Sequence, residues 1–321
     1  MKKTMRVIAC VLLTVFALMT FAACNWEGGG MKLTEEQWNT AFDKAKSWQN
    51  YTLEFNLEMR KNYKLDKDGY TTESGDIYSS VKMHYSLDLT HADGPRSSSY
   101  SGSSGFDEDG EWVGNGYRSY TSVEKGKLFG YYEDEESRTF KYEKTLDQGT
   151  TANQEFTADI QKLDDLQHMV TFTSGGKEYK LNELYSVLKY SNMSSHAYEG
   201  KLGVELNPEE TEGDNPFKTD SAWVWVYMYN AKYDEENGFY DYDNSLPDNF
   251  SKWDGEINVL VVFETEYLGE TYMVEVSLRY RFEHYPLEVP SVLYRRVQED
   301  GETYYPYYQN ILGQEGPADN D

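Results

Sequence analysis

The chain has 321 residues, of which 56 are Asp or Glu and 30 are Lys or Arg, so its formal net charge is −26. Its aromatic content of 16% argues against intrinsic disorder, and its mean hydropathy of −0.77 excludes a multi-span membrane protein. The acidic excess also excludes nucleic acid as a favourable partner, because the phosphate backbone would be repelled.

The N-terminal segment has the pattern of a secretory signal. Three basic residues precede an apolar run over 7–23, which ends in Ala22 and Ala23 directly before Cys24. The Cys after two Ala resembles the lipobox of bacterial lipoproteins, in which that Cys is acylated. Ordinary secretion, or an uncleaved anchor with a chance Cys, is the alternative. We expect a signal peptide over 1–23 and a lipid on Cys24 that holds the chain on the outer face of the cell membrane.

The cysteine content and the segment composition predict the domain organisation. Cys10 would leave with the signal and Cys24 would carry the lipid, so the mature chain would contain no free thiol and no disulfide. Residues 24–32 include three consecutive glycines and predict a flexible tether. A single β-rich domain is expected over 33–312, followed by a disordered tail over 313–321.

A helix is predicted over 34–48. Thr34 and Gln37 have the spacing of a capping box. Apolar residues then recur at helical spacing, namely Trp38, Ala41, Phe42, Ala45 and Trp48. Such a stripe favours a helix that faces the core over a ligand platform.

The hydrophobic period changes from 3.6 to 2 directly after this helix. Apolar and polar residues alternate over 51–59 and again over 77–89, which predicts two long strands joined through turn residues at 66–69. Further strands are predicted over 117–124, 127–133 and 138–145. The Ser-rich stretch over 97–104 is predicted to be a flexible loop.

The middle of the chain has a less regular pattern. A second short helix is predicted over 156–166, and a hairpin around Gly175 and Gly176. Residues 185–190 fit either helix or strand. A strand is expected over 198–206, and the acidic stretch over 209–220 is predicted to be a loop.

The last third has the strongest β pattern. Residues 222–229 are apolar on both faces, as in a covered central strand, and 233–247 form an insertion rich in Tyr, Asp and Asn. Strands over 257–263 and 272–282 are expected to pair across a turn near Gly269. These elements predict an α+β fold with a large twisted antiparallel sheet, similar to a half-barrel, whose apolar face is covered by the N-terminal helix and few short helices.

Three segments resemble the lipoprotein-carrier and LppX-like lipoproteins: the lipobox, the helix around Trp38–Phe42 and the strand around Tyr51–Phe55. The closing stretch Tyr280–Pro286, followed by Val289-Pro290, is similar to the final strand of that group. The resemblance extends loosely over 33–292. It implies a half-closed antiparallel sheet with helices on its concave side, and carriage of an apolar ligand or lipid in the gap.

The sequence contains no pattern that indicates catalysis or a cofactor. None of the five His has zinc-binding spacing, and the Ser103 region lacks the G-x-S-x-G pattern of a nucleophile elbow. Two pairs of Asp residues beside Gly suit calcium, namely Asp66 with Asp68 and Asp107 with Asp109. Asp-Gly turns produce the same pattern, and we favour turns.

Two functional hypotheses follow from these patterns. The first is a non-catalytic protein whose incompletely covered sheet binds an apolar ligand or a protein partner. Its candidate binding residues are Trp38, Phe42, Phe55, Tyr85 and Trp225. The alternative is a surface glycan-binding module, in which Tyr240 and Tyr242 stack on sugar rings beside acidic residues. An envelope hydrolase ranks below both, since no nucleophile is visible.

Replacing Cys24 tests the anchor. We expect Cys24→Ser to abolish incorporation of labelled palmitate in a bacterial host, because the thiol that accepts the acyl chain is lost. Cys10→Ser removes the other thiol and should leave labelling intact. Undiminished labelling of Cys24→Ser would refute the predicted anchor.

Overall fold

The computed structural model describes residues 32–92, 94–106, 110–124, 127–134, 169–191, 197–206, 217–234, 239–243, 249–284, 287, 296–297 and 303–304. The helical elements of this part are the helix α1 (Glu35–Lys46) and the 3-10 helices Leu181–Ser186 and Phe250–Lys252. The strands are β1 (Asn50–Lys61), β2 (Lys64–Leu65), β3 (Thr71–Glu73), β4 (Asp76–Asp88), β5 (Arg96–Phe106), β6 (Trp112–Glu124), β7 (Lys127–Asp134), β8 (Val170–Ser174), β9 (Lys177–Tyr179), β10 (Lys189–Tyr190), β11 (Ala197–Leu206), β12 (Lys218–Asp234), β13 (Phe239–Asp243), β14 (Gly255–Tyr267), β15 (Glu270–Phe282), β16 (Arg296–Val297) and β17 (Thr303–Tyr304).

Thirteen of the described strands form one open, twisted antiparallel sheet. Its order is β7-β6-β5-β4-β1-β15-β14-β12-β11-β8-β9, with β10 beside β11 and β13 beside β12. The pairs β2–β3 and β16–β17 are separate. The predicted class, mostly antiparallel sheet with an N-terminal helix and few others, is confirmed. The early strand β1 pairs with the late strand β15, so the two ends of the domain meet in the middle of the sheet.

The predicted helix is confirmed, and its capping box is formed. The Gln37 backbone N–H donates to Thr34 Oγ1 at 3.1 Å, and the Thr34 N–H donates to Gln37 Oε1 at 2.9 Å. The helix ends at Lys46, two residues before the predicted end, and Ser47 follows as its C-cap. Its apolar stripe is buried, as the spacing predicts.

Side chains of the central strands alternate between two faces of the sheet. One face, which we call the front face, carries apolar rows at matched register across β12, β14, β15 and β1. One row consists of Val224, Val261, Val276 and Leu57, and the next of Val226, Val259, Leu278 and Phe55. All eight side chains are buried, so these rows form the core.

Helix α1 lies across one end of the front face. Near its start, the Trp38 ring meets the Tyr198 ring of β11 edge-on, with centroids 4.9 Å apart. Just beyond its end, Trp48 stacks on Tyr280 of β15 at 5.2 Å, and the Tyr280 hydroxyl donates to the Ala45 carbonyl. Twelve residues make a helix about 18 Å long, so α1 reaches from β11 to β15 and leaves the rest of the face to other elements.

The opposite face, which we call the back face, is covered locally by the β2–β3 hairpin. The Tyr70 ring lies 5.1 Å from the Trp225 ring, and Tyr63 donates to Glu264 Oε1 at 2.6 Å. The predicted turn at 66–69 is confirmed. Gly69 has a positive φ of 86°, and a Cβ there would lie 2.4 Å from the Trp223 ring. Glycine therefore allows the turn backbone to rest directly on that ring.

The predicted Ser-rich loop over 97–104 is wrong, because this segment belongs to β5. It is paired on both sides, with β4 and with β6. Ser has little intrinsic preference for strands, but the neighbours impose the extended conformation. Side-chain hydrogen bonds join the strands, with 2.9 Å between Ser80 Oγ and Ser104 Oγ and 2.6 Å between Ser99 Oγ and Ser119 Oγ.

In three further segments, the structure gives bounds or an element type that the sequence left open or placed differently. The loop predicted to extend to 220 ends earlier, since β12 already begins at Lys218. The undecided stretch at 185–190 completes a 3-10 helix and then enters β10. The Tyr-rich insertion contains β13, which folds back on β12. The predicted helix over 156–166, the strand over 138–145 and the tail over 313–321 lie outside the described residues.

Candidate functional site

A cavity of about 710 Å³ lies on the front face beside the C-terminal end of α1. Its floor is formed by Val259 and Val261 of β14 and by Val276 and Leu278 of β15. Its walls are the β8–β9 hairpin and the 3-10 helix Leu181–Ser186. Polar side chains line it as well, namely Lys46, Glu178, Lys180, Asn182 and Glu183.

The floor of the cavity is rigid because of its position in the sheet. β14 is hydrogen-bonded to β12 and β15, and β15 is hydrogen-bonded to β14 and β1. The floor side chains therefore project from strands that are paired along both edges. Sites on such elements hold their geometry better than sites on loops.

The wall of the cavity is tied to α1 and to the start of the described chain. Trp38 Nε1 donates to the Asn182 carbonyl at 2.7 Å, and the Tyr185 hydroxyl donates to the Leu33 carbonyl at 3.0 Å. The Leu33 N–H in turn donates to the Tyr198 hydroxyl at 2.7 Å. Burial raises the pKa of the Tyr198 hydroxyl far above its usual value, so this hydroxyl stays protonated.

The structure places the sequence-predicted ligand residues outside this cavity. Trp38, Phe42, Phe55 and Tyr85 are buried in the front-face core, but none of them lines the cavity. Trp38 and Phe42 fill one end of the face, and the cavity remains beside them.

Trp225 is not brought together with those four residues. Its ring lies on the back face beneath the β2–β3 hairpin, and its Nε1 donates to Glu199 Oε2 at 3.2 Å.

Tyr240 and Tyr242 pair through their backbones with Tyr233 and Ala231 of β12. The side chains of both tyrosines, like Cys24, lie outside the described part.

Sequence reasoning identified the floor residues as buried strand positions but missed their role. The alternation over 257–263 and 272–282 marked them as apolar, and the hairpin around Gly175 and Gly176 was also predicted. No local pattern indicates that this hairpin stands beside β14 and β15. That proximity depends on the strand order β15-β14-β12-β11-β8.

The back face of the central strands carries paired charges. Arg279 donates from Nε to Glu256 Oε1 at 2.9 Å and from Nη2 to Glu256 Oε2 at 3.2 Å. Glu256 is only 1% exposed, so it requires this bidentate partner. Hydrogen bonding to His84 lowers the pKa of the Glu54 carboxyl, against the opposing effect of burial, and Arg279 adds to the lowering.

Three back-face side chains have the order of a nucleophile, a base and an orienting carboxylate. His84 Nε2 lies 2.9 Å from Ser86 Oγ, and His84 Nδ1 lies 3.6 Å from Glu54 Oε1. However, Ser86 is buried, is paired with β1 on one side and with β5 on the other, and shares a 2.8 Å hydrogen bond with Thr52. Acyl transfer needs an accessible nucleophile facing free N–H donors. The arrangement therefore fits cross-strand bonding better.

The first candidate calcium pair has the geometry of a turn. Asp66 Oδ1 accepts the backbone N–H groups of Asp68 and Tyr70, each at 2.9 Å. Asp107 and Asp109 lie outside the described residues. Within the described ranges, no group of three or more His, Cys, Asp or Glu side chains is arranged to hold a metal ion.

None of the helices that the structure describes has the length and apolarity needed to cross a membrane.

Comparison with known proteins assigns neither a family nor a function to this chain. No protein-family model and no curated protein matches the chain. A beta-barrel-like protein of a domain of unknown function from Brucella abortus is similar over 74% of this chain and 99% of its own, at 12% identity and a TM-score of 0.12. The MucA/MucB complex of Pseudomonas aeruginosa is similar over 76% of this chain and 92% of that chain, at 10% identity and a TM-score of 0.10. Likenesses at these scores carry no argument about function.

Glu283 makes the stability of the back face depend on pH. Burial raises the pKa of its carboxyl above the usual value of 4.5, although the Thr52 hydroxyl and His84 favour the ionised form. Arg281, whose Nη2 is 3.0 Å from Glu283 Oε1, acts in the same direction as these two. The folded state therefore binds the proton more tightly than the unfolded state, and stability falls as pH rises from 4.5 through the raised pKa.

We expect Glu283→Gln to unfold at a higher urea concentration than the parent chain at pH 8, and to show less difference at pH 5. The amide mimics the protonated acid, and each unit of raised pKa corresponds to about 1.4 kcal/mol. Glu266→Gln removes one exposed carboxylate and controls for the change in net charge. A Glu283→Gln variant that is less stable than Glu266→Gln at pH 8 would contradict this assignment.

Proposed function

We propose that this chain is a non-catalytic lipoprotein, anchored by its lipid on the outer face of the cell membrane, and that it binds an apolar ligand in the front-face cavity. The observation that carries the proposal is the cavity of about 710 Å³ above a floor of three Val and one Leu. This volume falls within the range of about 300–1,000 Å³ that is typical of small-molecule pockets. In this proposal the sheet curves around its ligand like a half-barrel.

The lining favours a ligand with a long apolar part and one polar end. Each CH₂ group transferred from water to the Val-rich floor contributes about 0.8 kcal/mol. Lys46 and Lys180 lie among the lining residues and suit a carboxylate or another anionic group at the polar end. Glu178 and Glu183 also line the cavity and would disfavour ligands that carry several negative charges.

The position of the tether supports exchange of the ligand with the membrane. Leu33 contacts the 3-10 helix that lines the cavity, through the Tyr185 hydroxyl. Leu33 is the ninth residue after Cys24, and an extended chain of that length spans at most about 30 Å. A lipid on Cys24 would therefore keep the cavity wall close to the bilayer, which is the source of apolar ligands. A protein partner is less favoured, because the site is a small concavity.

Filling the cavity with a larger side chain tests the proposal. We expect Val261→Phe to weaken the binding of a fluorescent fatty acid, cis-parinaric acid, by about tenfold or more, because the ring would occupy space needed by the acyl chain. Binding is measured by fluorescence titration of the mature chain. Circular dichroism spectra would show whether the variant is folded.

Two further variants complete this experiment. Ser221→Phe adds the same ring at an exposed position of β12 and should bind the probe like the parent chain. Tyr179→Trp narrows the cavity from β9, where Tyr179 pairs with the core residue Phe172, without altering the core floor, so it serves if Val261→Phe does not fold. Equal binding by the parent chain, Tyr179→Trp and Ser221→Phe, or no binding by the parent chain, would refute the proposed function.

A further inference from the structure

The front face changes character beyond the apolar core. Across β4, β5 and β6, directly paired residues share one face. Four rows continue the core rows, namely Val81–Ser103–Asn115, Met83–Ser101–Tyr117, Tyr85–Ser99–Ser119 and Leu87–Ser97–Thr121. A fifth row consists of Ser79, Gly105 and Val113. We call these fifteen positions the hydroxyl platform.

The hydroxyl platform carries no charge, although 27% of the chain is Asp, Glu, Lys or Arg. None of its fifteen residues is of these types or is His. The intervening positions of β4 and β5 do carry charged or titratable groups, namely Lys82, His84, Asp88 and Arg96. These four groups therefore lie on the face opposite the platform. The platform therefore offers no ion pair to a charged ligand, and an uncharged ligand suits it better.

The platform presents hydrogen-bonding groups that suit a hydroxylated partner. Ser101, Ser103 and Asn115 are exposed. Ser103 Oγ donates to Asn115 Oδ1 at 2.8 Å, which orients the Asn115 amide group on the surface. Each Ser hydroxyl has one donor and two acceptor sites, so such a surface matches ligands that offer many hydroxyl groups in both roles.

An aromatic ring completes the surface. Tyr117 lies within the platform and is 41% exposed. Rings with one apolar face and few rotamers are favourable recognition surfaces. Exposed rings beside hydroxyl groups suit sugar units, which have apolar C–H faces and polar edges.

We propose that the hydroxyl platform binds an uncharged polysaccharide chain. Tyr85 and Leu87 at one end of the platform are buried, so the rows that are accessible on all three strands run from Ser79 to Met83 of β4, about 13 Å along the strands and about 10 Å across them. An area of this size can contact a short run of sugar units within a longer chain. The site is separate from the cavity, and it differs from the glycan-binding hypothesis for Tyr240 and Tyr242, so it stands or falls independently of the proposed function.

Affinity electrophoresis of the mature chain in gels containing neutral polysaccharides tests the proposal. The panel consists of dextran, amylopectin, galactomannan, xylan and β-1,3-glucan, with polygalacturonate as the anionic comparison. We expect retardation by at least one neutral polymer and none by polygalacturonate. Tyr117→Ala should weaken binding about tenfold through the loss of stacking. The double variant Ser101→Val with Ser103→Val retains strand propensity but removes two hydroxyl groups, and it should also weaken binding.

Tyr267→Ala is the matched control, because Tyr267 is an exposed ring outside the platform, at the β14–β15 hairpin. It should bind like the parent chain. No retardation by any of the five neutral polymers, or an equal loss in Tyr117→Ala and Tyr267→Ala, would overturn the proposal. Loss only in Tyr240→Ala with Tyr242→Ala would instead assign glycan binding to the Tyr-rich insertion.

Discussion

The structure depends on one difference in size: the apolar front face of the sheet is wider than helix α1 is long. The apolar front face extends across seven strands from β4 to β8, a width of about 29 Å at the usual interstrand spacing. Helix α1 is about 18 Å long and about 10 Å wide. It covers the end of the face where Trp38 and Trp48 pack. The middle of β14 and β15 is flanked by the β8–β9 hairpin and a 3-10 helix. The cavity is the space that these smaller elements do not fill.

The buried side chains on the two faces of the central strands are stabilised by different interactions. On the front face, burial of rows such as Val224–Val261–Val276 removes apolar surface from water. On the back face, the buried Glu256 is held by the bidentate Arg279, and removing one partner of such a pair typically costs about 3–5 kcal/mol. The register that aligns these Val rows on the front also places these charges together on the back. A one-residue slip would exchange both sets, so each face reinforces the register.

Local periodicity predicted the elements but not how they meet. Helix α1, strands β1 and β4, and the β14–β15 hairpin were predictable, since a capping box and a two-residue period depend only on neighbouring residues. The Ser-rich β5 was missed because pairing with β4 and β6, rather than its own propensity, makes it a strand. Trp225 belongs to a strand that is apolar on both faces, so the pattern could not assign its side. The cavity combines residues as far apart in the chain as Lys46 and Leu278, and no local pattern encodes that proximity.

A spin-labelled fatty acid tests the front-face cavity most directly. In a mature chain with ¹³C-labelled Val methyl groups, we expect added doxyl-stearate to broaden the NMR signals of Val259, Val261 and Val276. Val262 is the next residue of β14 but lies on the back face, farther from the label, so its signals should broaden less. Equal broadening of Val261 and Val262, or no broadening of the three floor valines, would contradict a ligand cavity on the front face.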